Sequence, residues 1–582
     1  MKQHFLWILQ IYIVSSLFCG CSSTRPLNVK LDANEVVPQR RAMVFLIDGM
    51  RADLTNEMLA DGRLPNIQKY LVDRGCKVEN GVSCIPSITY ATISSIITGR
   101  YPGHHDIMGN KWFDRVSGRY QTYGEAETYQ KVDNDIRAAT IYEILEDKYT
   151  VTIQTAHRRG ATRPLDNWMS SGVRWFVKDY SGVDTLVATR FEEISTCAQS
   201  IGRWPDFIMA YFPGLDETGH RKGSDSEAYR REMMHIDRQI GRICEAMERN
   251  GMLDGYYMIL ISDHGHDPMQ SECCWVPEHF FRYHLNVPVA HRRYLENGNS
   301  CEWHRYLQDY RVVMVNGGSR RIHVHLRACN SWINEPTFND VEHFLERCYP
   351  DTYAKEGNRD LLNILSHEPG VGITTAKMDA NNVLVLSAMG CGQVSRRILP
   401  DGTKEYAYQE IANDPLNYLK YGPTAKLMDG KFHDSRTWLE ASCGSKYPDF
   451  VPQIVEMYDS PRAGQIVAFA APGWSFKHID HSGHGSVLRA DMIVPFIIAG
   501  PGICRKTLLT ARQVDIMPTI LDMMGELDKV KTVGPIDGIS LLPILTTTSR
   551  PACTTQPTSL PAKWKTLQPS TQPAQNQQNK LK

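Results

Sequence analysis

Residues 42–49 read AMVFLIDG, six apolar residues without a polar interruption, closed by an aspartate and a glycine. A run of this length without period-two alternation describes a strand buried on both faces, as in a parallel sheet covered by helices. The same grammar recurs further on. Phe207–Phe212 (FIMAYF) leads to Asp216 and His220, and Tyr257–Ser262 (YMILIS) ends at Asp263, His264 and Gly265. A fourth polar cluster, His481–Ser486 (HSGHGS), instead precedes its apolar run, Ile493–Ala499 (IVPFIIA). Helical patterns lie between: over Tyr229–Arg249, Met233, Ile236, Ile240, Ile243 and Met247 recur at spacings of three and four. Strands alternating with helices predict an α/β fold, a mostly parallel central sheet flanked by helices, with its chemistry at the strand ends.

Outward from these runs the period changes. Between Pro268 and Asp480, Arg311–Val315, an Asn316-Gly317-Gly318 turn and then Ile322, Val324 and Leu326 read as a hairpin. Val383–Ser387, a glycine turn at Gly390–Gly392 and Val394–Leu399 read as another. We therefore expect an inserted α+β cap subdomain with antiparallel strands over 268–480, and a catalytic core built from 41–267 and 481–545. His323 and His325 share one face of such a strand. With no third ligand in sight they read as a solvated strand face rather than a metal site.

Composition narrows the function. Hydrophobic residues make up 42% and charged residues 22%, an ordinary globular balance, so disorder is not the default. Lys plus Arg total 64 against 65 for Asp plus Glu, which leaves no overall field to attract nucleic acid or an anionic membrane. Affinity for phosphate must be local. Phe5–Phe18 is too short for a comfortable membrane span and suits a signal peptide, and Gly20-Cys21 resembles a lipoprotein cleavage box. We expect an exported protein, periplasmic, lipid-anchored at an outer membrane or secreted, with any membrane contact made through that N-terminal anchor. Residues 1–40 then hold the signal and tether, and 546–582, rich in Pro, Thr and Gln, a disordered tail. The 15 cysteines show no CxxC spacing, so no zinc ribbon is written here, although Cys273 and Cys274 stand in a loop-like segment that would suit pairing.

Cys84–Gly99 reads CIPSITYATISSIITG, in which a helix of small residues follows Pro86-Ser87 and presents Thr89 in its first turn. A helix N-terminus offers unpaired N–H groups and partial positive charge, which favour a phosphoryl oxygen and an alkoxide. With Asp48 before it, this segment resembles the alkaline-phosphatase superfamily, especially the type I phosphodiesterase/nucleotide pyrophosphatase branch. In that branch a nucleophilic Thr follows the first strand and a Thr-Gly pair, here Thr98-Gly99, ends its helix. Tyr101–Ile107 resembles the family's YPxxHGI continuation, with Asp106 in place of the usual Gly. Sulfatases share the fold and begin their helix with CxPSR, but Cys84-Ile85-Pro86-Ser87-Ile88 lacks the Arg and lies too far from the helix end.

Position by position, the resemblance implies two divalent cations: one held by Asp48, Thr89, Asp263 and His264, the other by Asp216, His220 and His484. LDETGH around Asp216 and His220 is like the family's DxxGH, and SDHGH around Asp263 and His264 is like its SDHGM. Among the crowded His478, His481 and His484, the HGS context favours His484. Imidazole and carboxylate ligands suit zinc, with manganese and iron as alternatives. Three carboxylates and an ionised Thr89 nearly balance two dications, leaving a site able to accept an anionic ester. The resemblance further implies a phospho-threonine intermediate, with one cation activating Thr89 and the other stabilising the leaving oxygen. Asn110, in GNKWFD, matches the family's GNxMYD Asn, whose neutral amide is adequate for a singly charged diester. Arg159, in HRRGA, matches the Arg of a KxRGA-like segment in relatives that prefer monoesters, though His157 replaces the Lys. The expected substrate is thus a small phosphate ester. A phosphomonoesterase, an inactive binding relative and a sulfatase remain the other readings.

Overall fold

The first sheet has eight strands: β1 (Arg41–Ile47), β2 (Gly75–Val82), β3 (Thr150–Ile153), β4 (Arg163–Leu165), β5 (Phe207–Phe212), β6 (Tyr256–Ser262), β7 (Ile493–Ala499) and β8 (Lys506–Arg512). Their order across the sheet is β8-β2-β7-β6-β1-β5-β3-β4. This computed structural model describes residues 40–547, apart from 125–127, 166–167, 271, 293–294, 296–304, 317, 329–330, 354–359 and 478–480. The signal, anchor and tether readings fall on residues outside that set, as do His478 and most of the C-terminal tail.

Every pairing in the sheet is parallel except those made by β7, which runs antiparallel to both β6 and β2. That exception explains the inverted order of the fourth motif. An antiparallel strand brings its N-terminal end to the edge where its parallel neighbours end, so a cluster placed before β7 meets clusters placed after β1, β5 and β6. Burial follows the expected grammar: all seven residues of β6 and of β7 are buried. Helices cover the sheet, among them α1 (Thr89–Thr98), α2 (Tyr180–Ile201), α3 (Gly214–Lys222), α4 (Glu227–Arg249) and α5 (Ile516–Met524). In α4 the Ser226 hydroxyl accepts from the Tyr229 amide as N-cap, and Met233, Ile236, Ile240, Ile243 and Met247 are all buried.

A second eight-stranded sheet, wholly antiparallel, is drawn from the inserted stretch in the order 312–315, 321–326, 466–470, 371–377, 382–387, 390–398, 404–412, 433–434. One apolar cluster runs through both sheets, from Val44, Ile259 and Phe496 to Val383, Tyr406 and Trp438. The structure changes two expectations here. The glycine run Gly390–Gly392 lies within a strand rather than in the turn, and the pairing register shifts between Cys391 and Gly392. His323 and His325 are not on a solvated face: their strand is flanked on both sides, and each is 1% exposed. The His323 Nδ1 accepts from the Gly464 amide at 2.9 Å, and His325 stands edge-on to Phe113. All cysteines among the described residues are free thiols, Cys273 and Cys274 included.

The insertion is also tied to the first sheet by charge. His104, in the turn Pro102–His105, places Nδ1 2.6 Å from Asp537 and Nε2 2.9 Å from Glu456 and 3.0 Å from Asp459. Glu456 faces Arg396 at 3.1 Å, Lys404 at 2.5 Å and the Tyr406 hydroxyl at 2.7 Å. Burial opposes protonation of His104, but its hydrogen bonds to Asp459, Asp537 and Glu456 lift it to about 11. Burial likewise opposes ionisation of Glu456, which His104, Lys404 and Arg396 nevertheless hold well below the ordinary carboxylate range. The stability supplied by His104 is therefore complete below its ordinary 6.5 and is lost as pH climbs toward about 11. That supplied by Glu456 is complete above its ordinary 4.5 and fades in acid. Thermal melts across pH should show His104→Ala costing roughly 3 kcal/mol near neutrality, the scale of breaking a buried pair, with the penalty shrinking in alkali. An unchanged midpoint would remove the network from the account of stability.

Candidate metal centre

The C-terminal edge of the first sheet gathers the polar clusters. Asp48 follows β1, Asp263 and His264 follow β6, and Asp216 and His220 lie one turn apart on α3, just after β5. His484 arrives on the segment before β7, where the Gly265 amide donates to the Asp491 carbonyl at 2.8 Å and fastens that segment to the end of β6. Thr89 is the first residue of α1, behind the lead-in from β2, and is 8% exposed. Residues scattered over more than four hundred positions thus converge because all but one strand of the sheet points the same way.

Two neighbouring sets of potential ligands result. In the first, the His264 Nε2 lies 3.3 Å from Asp48 Oδ1, 3.2 Å from Asp263 Oδ2 and 3.2 Å from Thr89 Oγ1. In the second, Asp216 lies 3.4 Å from the His220 Nε2 and 3.7 Å from the His484 Nε2. The rings of His264 and His484 stack at 3.5 Å between centroids, so the sets share a wall. His484, not His481, joins the cluster: the His481 side chain is exposed.

The donor chemistry fits divalent cations. Each of the three histidines has Nδ1 beside a backbone carbonyl: His220 at Ser482 (2.9 Å), His264 at Gly265 (3.0 Å) and His484 at Ser87 (3.1 Å). An Nδ1–H donating to a carbonyl fixes the tautomer and turns the Nε2 lone pair the other way, here toward carboxylates. Lone pair facing carboxylate is repulsive unless positive charge lies between. Asp48 Oδ1 and Asp263 Oδ2 are buried and accept no hydrogen bond, which repeats the point. Burial, with Asp263 and Asp216 beside it, pushes the Asp48 carboxyl well above its ordinary value. Burial works to raise Asp216 too, but His220 and His484 overcome it and hold that carboxyl well below the usual range.

His266 belongs to this centre and was missed from the sequence. Its Nε2 is 2.7 Å from Asp216 Oδ1, its Nδ1 is buried without a partner, and it forms a ligand-competent group with Asp216 and His220. Gly49 and Gly219 make the room, since a Cβ on either would stand 2.9 Å or 3.1 Å from the His266 ring. The signal was present: His266 is the last letter of SDHGH, where the family motif carries Met. His266→Met should weaken retention of one cation about 10- to 100-fold, the usual cost of losing a group that orients a ligand, as read by dialysis against a chelator. Retention equal to the parent would make His266 a packing residue.

The flanking predictions divide. The Asn110 carbonyl oxygen accepts from the Tyr90 amide at 3.2 Å, which fixes the side chain at the start of α1 with its NH2 left for a ligand. Arg159 requires correction. Its Nε donates to Glu143 at 2.9 Å, and its Nη atoms donate to Glu143 and to the carbonyls of Asp133, Ile136 and Ala138, so the guanidinium clamps its own loop. His157 lies against α1, 3.1 Å from Ser94 Oγ, and burial pushes it down to about 3. Cys84 is buried, with its thiol pushed up to about 12 by burial, so it offers no nucleophile.

Comparison with known proteins adds to this geometry. A family model described as type I phosphodiesterase/nucleotide pyrophosphatase matches residues 42–334. An uncharacterised pyrophosphatase/phosphodiesterase of Schizosaccharomyces pombe is 27% identical over 295 residues, 49% of this chain and 56% of that protein. The bis(5′-adenosyl)-triphosphatase of Homo sapiens is 24% identical over 259 residues, 44% of this chain and 52% of that protein. The chain thus spans about half the length of the curated relatives it matches. Human ectonucleotide pyrophosphatase/phosphodiesterase 5 superposes with a TM-score of 0.52 at 15% identity, covering 87% of this chain and 100% of that one, a likeness of fold.

Proposed function

The chain belongs to the type I phosphodiesterase/nucleotide pyrophosphatase family, and from that premise we propose that it hydrolyses phosphoric diesters and anhydrides, with Thr89 as nucleophile and two divalent cations, zinc by ligand type, as cofactors. The observation that carries this reading is the convergence of Asp48, Asp263, His264 and Thr89 beside Asp216, His220 and His484. Bound cations would supply Lewis acidity at the phosphoryl oxygens. The protein's own part is positional. The Thr89 hydroxyl at the α1 N-terminus attacks phosphorus, Asn110 donates to a nonbridging oxygen, and the three Nδ1–carbonyl contacts hold the imidazoles in one tautomer. Water then releases the product from the phospho-threonine. Solved structures related in fold include an inactive form of murine ectonucleotide pyrophosphatase/phosphodiesterase 5 in complex with AMP, which supports a nucleotide as the transferred group.

A diester is favoured over a monoester by the state of the HRRGA segment. The extra charge of a monoester calls for a free cation near the phosphoryl group. Arg159 is committed to Glu143 and three carbonyls, and His157 is buried and neutral. Zinc-loaded protein should therefore turn over bis-p-nitrophenyl phosphate faster than p-nitrophenyl phosphate. Arg159→Ala should leave that ratio within about threefold while lowering the melting temperature, since partly buried hydrogen bonds are lost. Monoester preference, or a ratio that collapses with Arg159→Ala, would return the phosphomonoesterase reading to first place.

A further inference from the structure

The strand 321–326 of the second sheet reads RIHVHL, and its alternation puts Arg321, His323 and His325 on one face. All three are buried, and this face meets the segment 108–115, which carries Asn110. His323 and His325 are neutral, because burial first and neighbouring cations second hold both well below the ordinary 6.5. Arg321 is different. It is 0% exposed, no carboxylate among the described residues pairs with it, and its Nε and Nη2 have no hydrogen-bond partner there. Burial pulls the guanidinium down to about 9, which still leaves it charged at neutral pH. Keeping an unneutralised cation out of water is costly.

Its contacts lie beside the site on three sides. The Arg321 Nη1 donates to the Met108 carbonyl at 2.6 Å. Nη2 is 3.0 Å from where a Cβ on Gly109 would stand, and Ile88 comes within 3.5 Å of the same point. The Arg321 Cβ is 3.9 Å from where a Cβ on Gly485 would stand, and Ile88 is 3.3 Å from that point. Gly109 leads into Asn110, Ile88 precedes Thr89, and Gly485 follows His484. Gly109 has a φ of +138°, which L side chains rarely adopt, so a bare backbone lets the guanidinium approach. The same turn is tied from its other side, where the Tyr123 amide donates to the Asn110 backbone carbonyl at 2.9 Å and the Tyr90 amide to its side-chain oxygen at 3.2 Å.

We propose that Arg321 is a positioning residue for phosphoryl transfer: it braces the Met108–Asn110 turn against the lead-in to Thr89, so that the Asn110 NH2 meets a nonbridging oxygen, and its charge favours the phosphoryl group as that gathers negative charge. The inference rests on the hydrolase reading above and adds a residue to it. Arg321 acts through the turn and through its field, without touching substrate. A charge held in low dielectric acts more strongly than one in water, and one fixed before substrate arrives needs no reorganisation during the reaction. Its benefit therefore falls on the rate more than on binding.

Arg321→Met, uncharged and unbranched, should lower kcat for bis-p-nitrophenyl phosphate at least about 30-fold, with KM within about threefold and the cation content of the parent. An Asn110→Ala background separates positioning from folding. There the same substitution should cost no more than about fivefold, because the group that Arg321 positions is gone. A role in folding alone would scale both backgrounds by the same factor, since it changes only the fraction of folded protein. Arg321→Lys keeps the charge and loses the fork, so its loss should be intermediate and should also shrink in the Asn110→Ala background; it keeps the test open should Arg321→Met fail to fold. Arg115→Met removes another buried arginine, one bound to the Leu326 and Asn334 carbonyls, and should lower the melting temperature while leaving kcat within about threefold. Equal losses in the two backgrounds, or a loss of kcat matched by Arg115→Met, would overturn the proposal. If zinc-loaded parent turns over no diester, the hydrolase reading falls, and calorimetry with orthovanadate decides the role of Arg321: an affinity lowered at least about tenfold by Arg321→Met keeps it, and an unchanged affinity ends it.

Discussion

Thr89→Ala should reduce diester turnover by at least about 10⁴-fold, the scale seen when a covalent nucleophile is removed, while the protein keeps its cations and its fold. The separation of effects follows from where Thr89 sits. It opens α1 with its Oγ1 3.2 Å from the His264 Nε2, while Asp48, Asp263 and His264 form a ligand-competent group without it. Losing the hydroxyl removes the attacking atom and leaves three donors in place. Thr89 is 8% exposed and its side chain caps no backbone group, so the substitution changes its environment little. Thr89→Ser, which restores an oxygen at the same place, should recover part of the rate. The measurements are steady-state turnover with metal content by mass spectrometry on the same samples. Turnover within tenfold of the parent would remove Thr89 from the role of nucleophile, and joint loss of metal and activity would make it chiefly a ligand.

Much of this site was legible because buried parallel strands write themselves plainly. AMVFLI, FIMAYF and YMILIS have no alternation to obscure them, and each ends where the chain leaves the sheet, so the polar residues that follow sit at one edge. Even the inverted order around His484 was readable as a pattern, though its cause, the antiparallel β7, became clear only with the sheet topology. The failures share a physical reason. Arg159 was judged by a local motif match and the His323–His325 pair by its place on one strand, and what decides their roles is a partner outside the motif or strand: Glu143 and loop carbonyls for the arginine, Gly464 and Phe113 for the histidines. The network around His104 joins residues 104, 396, 404, 456, 459 and 537, with no local motif to announce it. His266 differs, because its place in SDHGH was visible and only the meaning of His for Met was passed over.

Removal of divalent cations should abolish turnover, by about 10³-fold or more, and should also lower thermal stability, because in this centre cation and fold are coupled. Asp48, Asp263 and Asp216 are drawn together in a buried cluster in which two carboxylate oxygens accept no hydrogen bond. Like charges brought together away from water repel strongly, and the remedy this donor set suits is positive charge between them. The geometry further predicts how the loss divides. Asp48 and Asp263 face His264, while Asp216 faces His220, His266 and His484, so the sets can be emptied separately. Parent protein should carry two equivalents of cation; Asp216→Ala should carry one and Asp48→Ala should keep the other, each with turnover down by at least about 10³-fold. Native mass spectrometry counts the ions, and re-addition of zinc to chelated parent should restore both activity and melting temperature. A single equivalent in the parent, or two in Asp216→Ala, would mean that the paired sets do not act as two sites. The shared wall of His264 and His484, 3.5 Å apart, makes one interaction measurable: His484→Ala should empty the Asp216 set and also weaken the Asp48 set several-fold, because the ring that holds His264 flat is gone.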